Sequence, residues 1–165
     1  MIRIGIDPGT TTSPTTIAVI ESFIVYPQPD QELEIYTILG CYDIQPCNFI
    51  SKINNCYLMS HCIKAICSNY PERYVTLEDP FLKGKAHDNM NQLLSIIQYD
   101  NKVDRLINPM TVKKFMGDGR MEKPVMAEKL LLRFNDIKSK NKINKLIKEE
   151  NYDATDAICI AIYKE

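Results

Sequence analysis

Asp7, Glu78, Asp153 and Asp156 are the side chains of this sequence best suited to hold a hard metal ion. Asp7 closes the run Ile4-Gly5-Ile6-Asp7-Pro8-Gly9-Thr10, and Glu78 closes Tyr74-Val75-Thr76-Leu77-Glu78. Each follows strand-forming residues, so each is expected to project from a strand end rather than from a mobile loop. Asp153 and Asp156 open the segment Asp153-Ala154-Thr155-Asp156-Ala157, and their i, i+3 spacing puts both on one helical face. Carboxylate oxygens suit Mg²⁺ or Mn²⁺. Convergent acids without a divalent cation would repel one another, so a metal centre is the expected use. Asp153 alone also has a structural explanation, because the first turn of a helix favours negative charge. That explanation does not reach Asp156, which lies among Ala154, Ala157 and Ala161, small residues that permit close packing onto a sheet.

The elements that must position these acids follow from pattern. Ile2–Asp7 alternates and is β-rich, Thr15–Tyr26 is a second strand, Pro27-Gln28-Pro29-Asp30 breaks the chain, and Leu33–Tyr42 is a third strand. Turn-like connections make the three an antiparallel meander. Apolar spacing predicts a helix from Phe49 to about Ser68, a strand over Arg73–Glu78, a helix from Ala86 to about Tyr99, and a fifth strand over Val103–Asn108. A short helix after Pro109, a loop bearing Gly117 and Gly119, and a helix from Pro124 to about Phe134 come next. Asn135–Glu150, rich in Lys and Asn, reads as an exposed loop or surface helix, and Asp153–Tyr163 as the last helix. No repeat or long linker divides the chain, so 1–165 is expected to form one domain.

Composition narrows the function classes. Hydrophobic residues at 45% and charged residues at 25% are ordinary globular values, no apolar run approaches a membrane span, and the first residues lack the layout of a signal peptide. An intracellular, cytoplasmic protein is expected. The six cysteines form no Cys-x-x-Cys pair and read as buried reduced thiols, while His61 and His87 complete no zinc spacing. Net charge is −1, but its distribution is uneven. Residues 1–100 carry 6 Lys/Arg against 11 Asp/Glu, residues 101–148 carry 13 against 5, and residues 149–165 carry 1 against 5. A positive block between acidic motifs suits a protein that holds a phosphate backbone against a metal-loaded centre; a solvated lysine-rich face explains the same block without a partner.

Taken in order, these motifs resemble the RuvC family of Holliday-junction resolvases, within the RNase H-like superfamily. The likeness runs through Asp7-Pro8-Gly9, Glu78-Asp79-Pro80-Phe81, Pro109-Met110-Thr111-Val112-Lys113, Gly117–Lys123 and the Asp153–Ala157 signature. It implies an α/β fold with a five-stranded mixed sheet flanked by helices, in which the ends of the first and fourth strands lie side by side and face the last helix. It implies hydrolysis of a phosphodiester with two Mg²⁺ ions, or Mn²⁺ in their place, about 3.5–4 Å apart. Asp7 would bridge them, with Glu78 and Asp153 or Asp156 completing the shells. Lys113 and Lys123 match basic positions that approach DNA phosphate, Lys123 as a transition-state clamp beside free helix amides. Phe81 matches an aromatic that stacks on unpaired bases, and Lys83, Lys85, Lys114 and Arg120 are further phosphate contacts. The implied assembly is a homodimer acting on four-way or branched DNA, with paired nicks. The Lys113–Lys123 interval is one residue shorter than the bacterial pattern, and Arg120-Met121 replaces small residues, which points to a divergent, phage-type form.

Three other readings compete. Ile4–Ser13 also resembles the phosphate-binding hairpin of the actin, sugar kinase and chaperone ATPases, but that fold needs two lobes of domain size, so no nucleotide cofactor is expected. A YqgF-like ribonuclease of the same superfamily and a junction-binding protein without catalysis remain as alternatives.

Overall fold

The computed structural model describes residues 1–10, 13–79 and 85–164, with backbone alone for 85–89. Strands β1 (Ile2–Asp7), β2 (Thr15–Gln28) and β3 (Gln31–Ile44) form an antiparallel meander, in which β1 pairs with β2 from Ile2 opposite Glu21 to Asp7 opposite Thr16. Strand β4 (Arg73–Glu78) lies parallel to β1 on its other side, and β5 (Arg105–Ile107) lies parallel to β4. The resulting order is β3-β2-β1-β4-β5, a five-stranded mixed sheet as expected.

Some boundaries differ from the pattern. Strand β2 runs through Pro27, and only Pro29 and Asp30 form the turn. A register shift between Val25 and Gln28 leaves Tyr26 and Pro27 out of the ladder, so the missing proline N–H forfeits no bond. Strand β5 is shorter than expected because Asp104 instead turns its carboxylate to accept the Val75 N–H at 2.7 Å, and Asn108 turns away to cap the next helix.

Among the described residues six helices cover the sheet: α1 (Lys52–Ser68), α2 (Lys85–Asn101), α3 (Pro109–Met116), α4 (Lys123–Leu131), α5 (Ile137–Lys148) and α6 (Tyr152–Ile162). Helix α1 starts after Phe49, at the point where Ser51 accepts the Asn54 N–H. Helix α4 stops before Phe134, which is nevertheless fully buried. The Lys/Asn-rich stretch is an amphipathic helix that covers the free edge of β3. There Ser139 Oγ accepts the Ile38 N–H at 2.9 Å and Lys142 Nζ donates to the Ile38 carbonyl at 2.7 Å.

Strand alternation divides the interior in two. Ile4, Ile6, Ile17, Val19, Val75 and Leu77 pack with α1 and α2 on one face. Ala18, Ile20, Tyr36 and Ile38 pack with α3 to α6 on the other. Helix α6, buried along its length from Ala154 to Ile162, is the centre of the second face. All six cysteines are free thiols; Cys56, Cys67 and Cys159 are buried, whereas Cys41, Cys47 and Cys62 are only partly so, which corrects the expectation that all would be interior. Among the described residues no helix is long and apolar enough to cross a membrane.

Candidate metal centre

The alternation that sends Ile4 and Ile6 to one face sends Arg3, Gly5 and Asp7 to the other, toward α6. Gly5 is what lets α6 come close: a Cβ there would meet the Ala157 carbonyl oxygen at 2.1 Å and the Ala161 nitrogen at 2.5 Å. Two residues further on, Asp7 reaches the first turn of α6. In β4 the same logic turns Glu78 to this face, since Leu77, its neighbour, is buried with α1 and α2 and pairs with Ile6. Asp7 and Glu78 therefore close adjacent parallel strands.

The start of α6 is fixed by a side-chain relay across the sheet. Thr16, opposite Asp7 in the ladder, donates to Asp43 Oδ1 at 2.8 Å. Asp43 Oδ2 accepts from Asn151 Nδ2 at 3.0 Å, and Asn151 caps α6 by accepting the Ala154 N–H at 3.1 Å. Asp153 and Asp156 are held by that cap on the face toward Asp7. One carboxylate oxygen from each of Asp7, Asp153 and Asp156 lies within 4.8 Å of the others. Glu78 stands outside this trio but lines the same cavity of about 160 Å³, with Asp7, Asp156, Lys113, Lys123, Pro109, Val112 and Met126.

The electrostatics are those of acids crowded without enough positive charge. Burial first, then the charges of Glu78 and Asp156, push the Asp7 carboxyl up to about 8. Burial and Asp156 push Glu78 up to about 7, against the opposing pull of Lys123 and Lys113. Asp156 is raised by burial even though Lys123 donates to it. Its Oδ1 is buried with no hydrogen-bond partner among the described residues. An all-oxygen donor set, an orphaned buried oxygen and carboxyls that retain protons near neutrality together fit a hard divalent cation.

Lys123 lies against the acids: its ammonium contacts Asp153 Oδ1 at 2.7 Å and Asp156 Oδ2 at 2.8 Å. The first turns of α4 and α6 face each other, so the nearest counter-charge to the acid pair is this lysine. Burial lowers its proton affinity, but the two carboxylates outweigh this and hold it above the ordinary ammonium value. Lys113 is half-buried in the cavity wall, whereas Lys114 and Arg120 are exposed and line no part of it. Lys85 opens α2; its side chain, like Phe81 and Lys83 entirely, lies outside the described residues. Pattern reading passed over Gly5, Thr16, Asp43 and Asn151. Gly5 had a signal in the sequence, a glycine inside a β-branched run, which marks close backbone approach; Asn151 had the helix-start signature.

No protein-family model and no curated protein sequence matches the chain. Among solved structures it resembles Thermus thermophilus RuvC, with a TM-score of 0.67 at 13% identity over 98% of this chain and 90% of that one. It likewise resembles T. thermophilus RuvC in complex with Holliday junction substrate, with a TM-score of 0.70 at 13% identity over the same 98% and 90%. Identity at this level speaks for the fold alone. The chain has a RuvC-like form of the RNase H-like α/β fold.

Proposed function

We propose that this protein is a metal-dependent, structure-selective endonuclease that cleaves Holliday junctions and related branched DNA. The observation that carries the reading is the convergence of Asp7, Asp153 and Asp156 within 4.8 Å, with Asp7 and Asp156 lining a cavity that Glu78 also lines. The RuvC-like fold supports the same substrate class, since one of the similar structures holds a Holliday junction. Asp7, Glu78, Asp153 and Asp156 would hold divalent cations, Mg²⁺ or Mn²⁺, two per centre with Asp7 shared. Bound there, the cations supply an activated water and stabilise the leaving oxygen. Lys113 and Lys123 project their charge into the same cavity and hold a phosphodiester against the acids. Phe81 stacks on an unpaired base at the branch point, and Lys83, Lys85, Lys114 and Arg120 contact flanking phosphates. The active form is a homodimer, which places two centres on strands of like polarity and makes the nicks symmetric.

The test uses end-labelled immobile and mobile four-way junctions, with linear duplex, a Y-fork and a DNA–RNA hybrid alongside. Paired symmetric nicks in Mg²⁺, lost with EDTA or in Asp7→Asn, are the expected result. Cleavage of the hybrid alone would favour a YqgF-like or RNase H-type ribonuclease. Junction binding with no cleavage in Mg²⁺ or Mn²⁺ would leave a junction-binding protein without catalysis.

A further inference from the structure

The densest part of the positive block is α5, whose twelve residues include Lys138, Lys140, Lys142, Lys145 and Lys148 and no acid. Folding uses the opposite side of this helix: Ser139 and Ile143 are buried, and Leu146 and Ile147 pack on the same core. Lys142 is committed to the β3 edge through the Ile38 and Leu39 carbonyls. Lys145 meets Glu149 at 3.7 Å, with both side chains more than half exposed, a geometry of little energetic weight. Lys138 and Lys148 are exposed and make no ion pair among the described residues. Seven residues is about two helical turns, so Lys138 and Lys145 share one face, with Lys148 a turn beyond. Lys145 and Lys148, three residues apart, repel each other, and nothing in the packing of α5 requires them.

Their place in the fold gives the repulsion a purpose. Helix α4 leaves the metal centre from Lys123, and α5 returns toward it, ending at Lys148 just before Asn151 caps α6. The lysine face thus ends three residues before the cap of the helix that carries the acid pair, and extends away along a helix about 18 Å long. We propose that Lys138, Lys145 and Lys148 form a rail for the phosphate backbone of a duplex arm leaving the cleft, distinct from the cavity lysines Lys113 and Lys123. A regular polyanion that begins at a phosphodiester-cleaving centre is the ligand whose charge repeats along such a line. The inference rests on the nuclease reading and adds to it a second, non-catalytic binding surface.

The experiment compares the wild type, the triple variant Lys138→Gln/Lys145→Gln/Lys148→Gln, and a charge-matched control, Lys52→Gln/Lys64→Gln/Lys102→Gln. Junction affinity is measured in EDTA across a salt series, on four-way junctions with arms of about 20 or about 5 base pairs, the shorter arms barely spanning the helix. The expected result is a triple variant about tenfold weaker on long arms, with a salt slope flatter by roughly 2.7, at about 0.9 for each phosphate that is no longer neutralised. On short arms, which already span most of the helix, the loss should be similar, and its Mn²⁺ affinity by calorimetry should be unchanged. The control should match the wild type throughout. A triple variant indistinguishable from the control on long arms overturns the rail while leaving the nuclease reading intact. Weakened Mn²⁺ binding overturns it in favour of a disturbed centre. Wild-type binding to anionic phospholipid vesicles but not to DNA, abolished in the triple variant, overturns it in favour of a membrane surface. A wild type that binds no branched DNA at low salt removes the nuclease reading itself.

Discussion

The α6-facing side of β1 carries a charge at each end, and the two ends treat it oppositely. At the start of the strand, Arg3 meets Glu34 at 3.1 Å, Lys164 also binds Glu34, and the Tyr36 hydroxyl donates to it at 3.0 Å. Burial pushes the Glu34 carboxyl up, but hydrogen bonds from Lys164 and Tyr36 and the charge of Arg3 outweigh it, holding the group below its ordinary 4.5. At the end of the strand, burial, Glu78 and Asp156 act together on Asp7 and push it up to about 8. A buried acid whose charge the protein itself answers holds the fold together. A buried acid whose charge the protein leaves unanswered is held ready for something from outside.

Between these ends stands Gly5, and the largest expected effect comes from closing the gap it leaves. Gly5→Val drives side-chain atoms into the α6 backbone around Ala157 and Ala161, with a loss of about 3 kcal/mol or more in urea denaturation. An unchanged midpoint would mean that α6 is not seated on β1 as described. Next in size is a matched pair of isosteric substitutions. Glu34→Gln leaves Arg3 and Lys164 short of a counter-charge and should cost about 3 kcal/mol at neutral pH. Asp7→Asn replaces a carboxyl that must take up a proton on folding at this pH, so the metal-free protein should gain on the order of 1 kcal/mol. The same variant should lose the thermal stabilisation that the wild type gains from Mn²⁺. If both substitutions destabilise equally, the contrast between the two ends is wrong.

The pH response sharpens the contrast further. Folded Asp7 binds its proton more tightly than the unfolded chain does, so its effect on stability is absent below about 4. From the ordinary 3.8 up to about 8 it makes the metal-free protein progressively less stable as pH rises. Glu34, depressed below 4.5, has the opposite sign: its contribution is full above that value and is lost as pH falls through its folded pKa. Metal-free stability should therefore decline toward both acid and pH 8. Saturating Mg²⁺ should flatten only the alkaline side, because cation binding replaces the protons held by Asp7 and Glu78. Thermal melts across pH, with and without the ion, measure this directly.

How much of this was legible in the sequence depends on the range of the interaction. Strand alternation and helical periodicity are local, so the five strands, the buried Ile4 and Ile6 and the i, i+3 face of Asp153 and Asp156 could be read from the sequence. That Asp7, Asp153 and Asp156 converge was legible through motif order, because a strand end and a helix start are the points where a carboxylate can leave the core; Glu78, expected with them, lines the cavity outside the trio. What escaped depends on contacts remote in sequence. The link from Thr16 through Asp43 to Asn151 joins residues separated by 27 and 108 positions, and no local pattern encodes it. The β3 edge likewise recruits Ser139 and Lys142 from about a hundred residues away, which decides between the loop and the surface helix that the Lys/Asn stretch left open. The pairing of Lys123 with two of the acids escaped for a different reason. A lysine at a helix start looks the same in sequence whether it faces solvent, a phosphate or a carboxylate.

That lysine sets the smallest and most discriminating expectation. Lys123 is the only positive charge in contact with Asp153 and Asp156 among the described residues, yet it is 44% exposed and Asp153 is 50% exposed. Solvent screens much of the attraction, so Lys123→Met should cost the metal-free protein no more than about 1 kcal/mol. The consequence for the ion should be of opposite sign. An ammonium at 2.7 and 2.8 Å from two candidate ligands competes with a divalent cation for the same oxygens. Removing it should tighten Mn²⁺ binding measured by calorimetry while slowing the proposed cleavage, because the charge proposed to hold the phosphodiester is gone. Weaker Mn²⁺ binding in Lys123→Met would instead make the lysine a scaffold for the acids. It would also move the answering charge at this end of β1 from an external ion to the protein itself, erasing the difference from the Glu34 end.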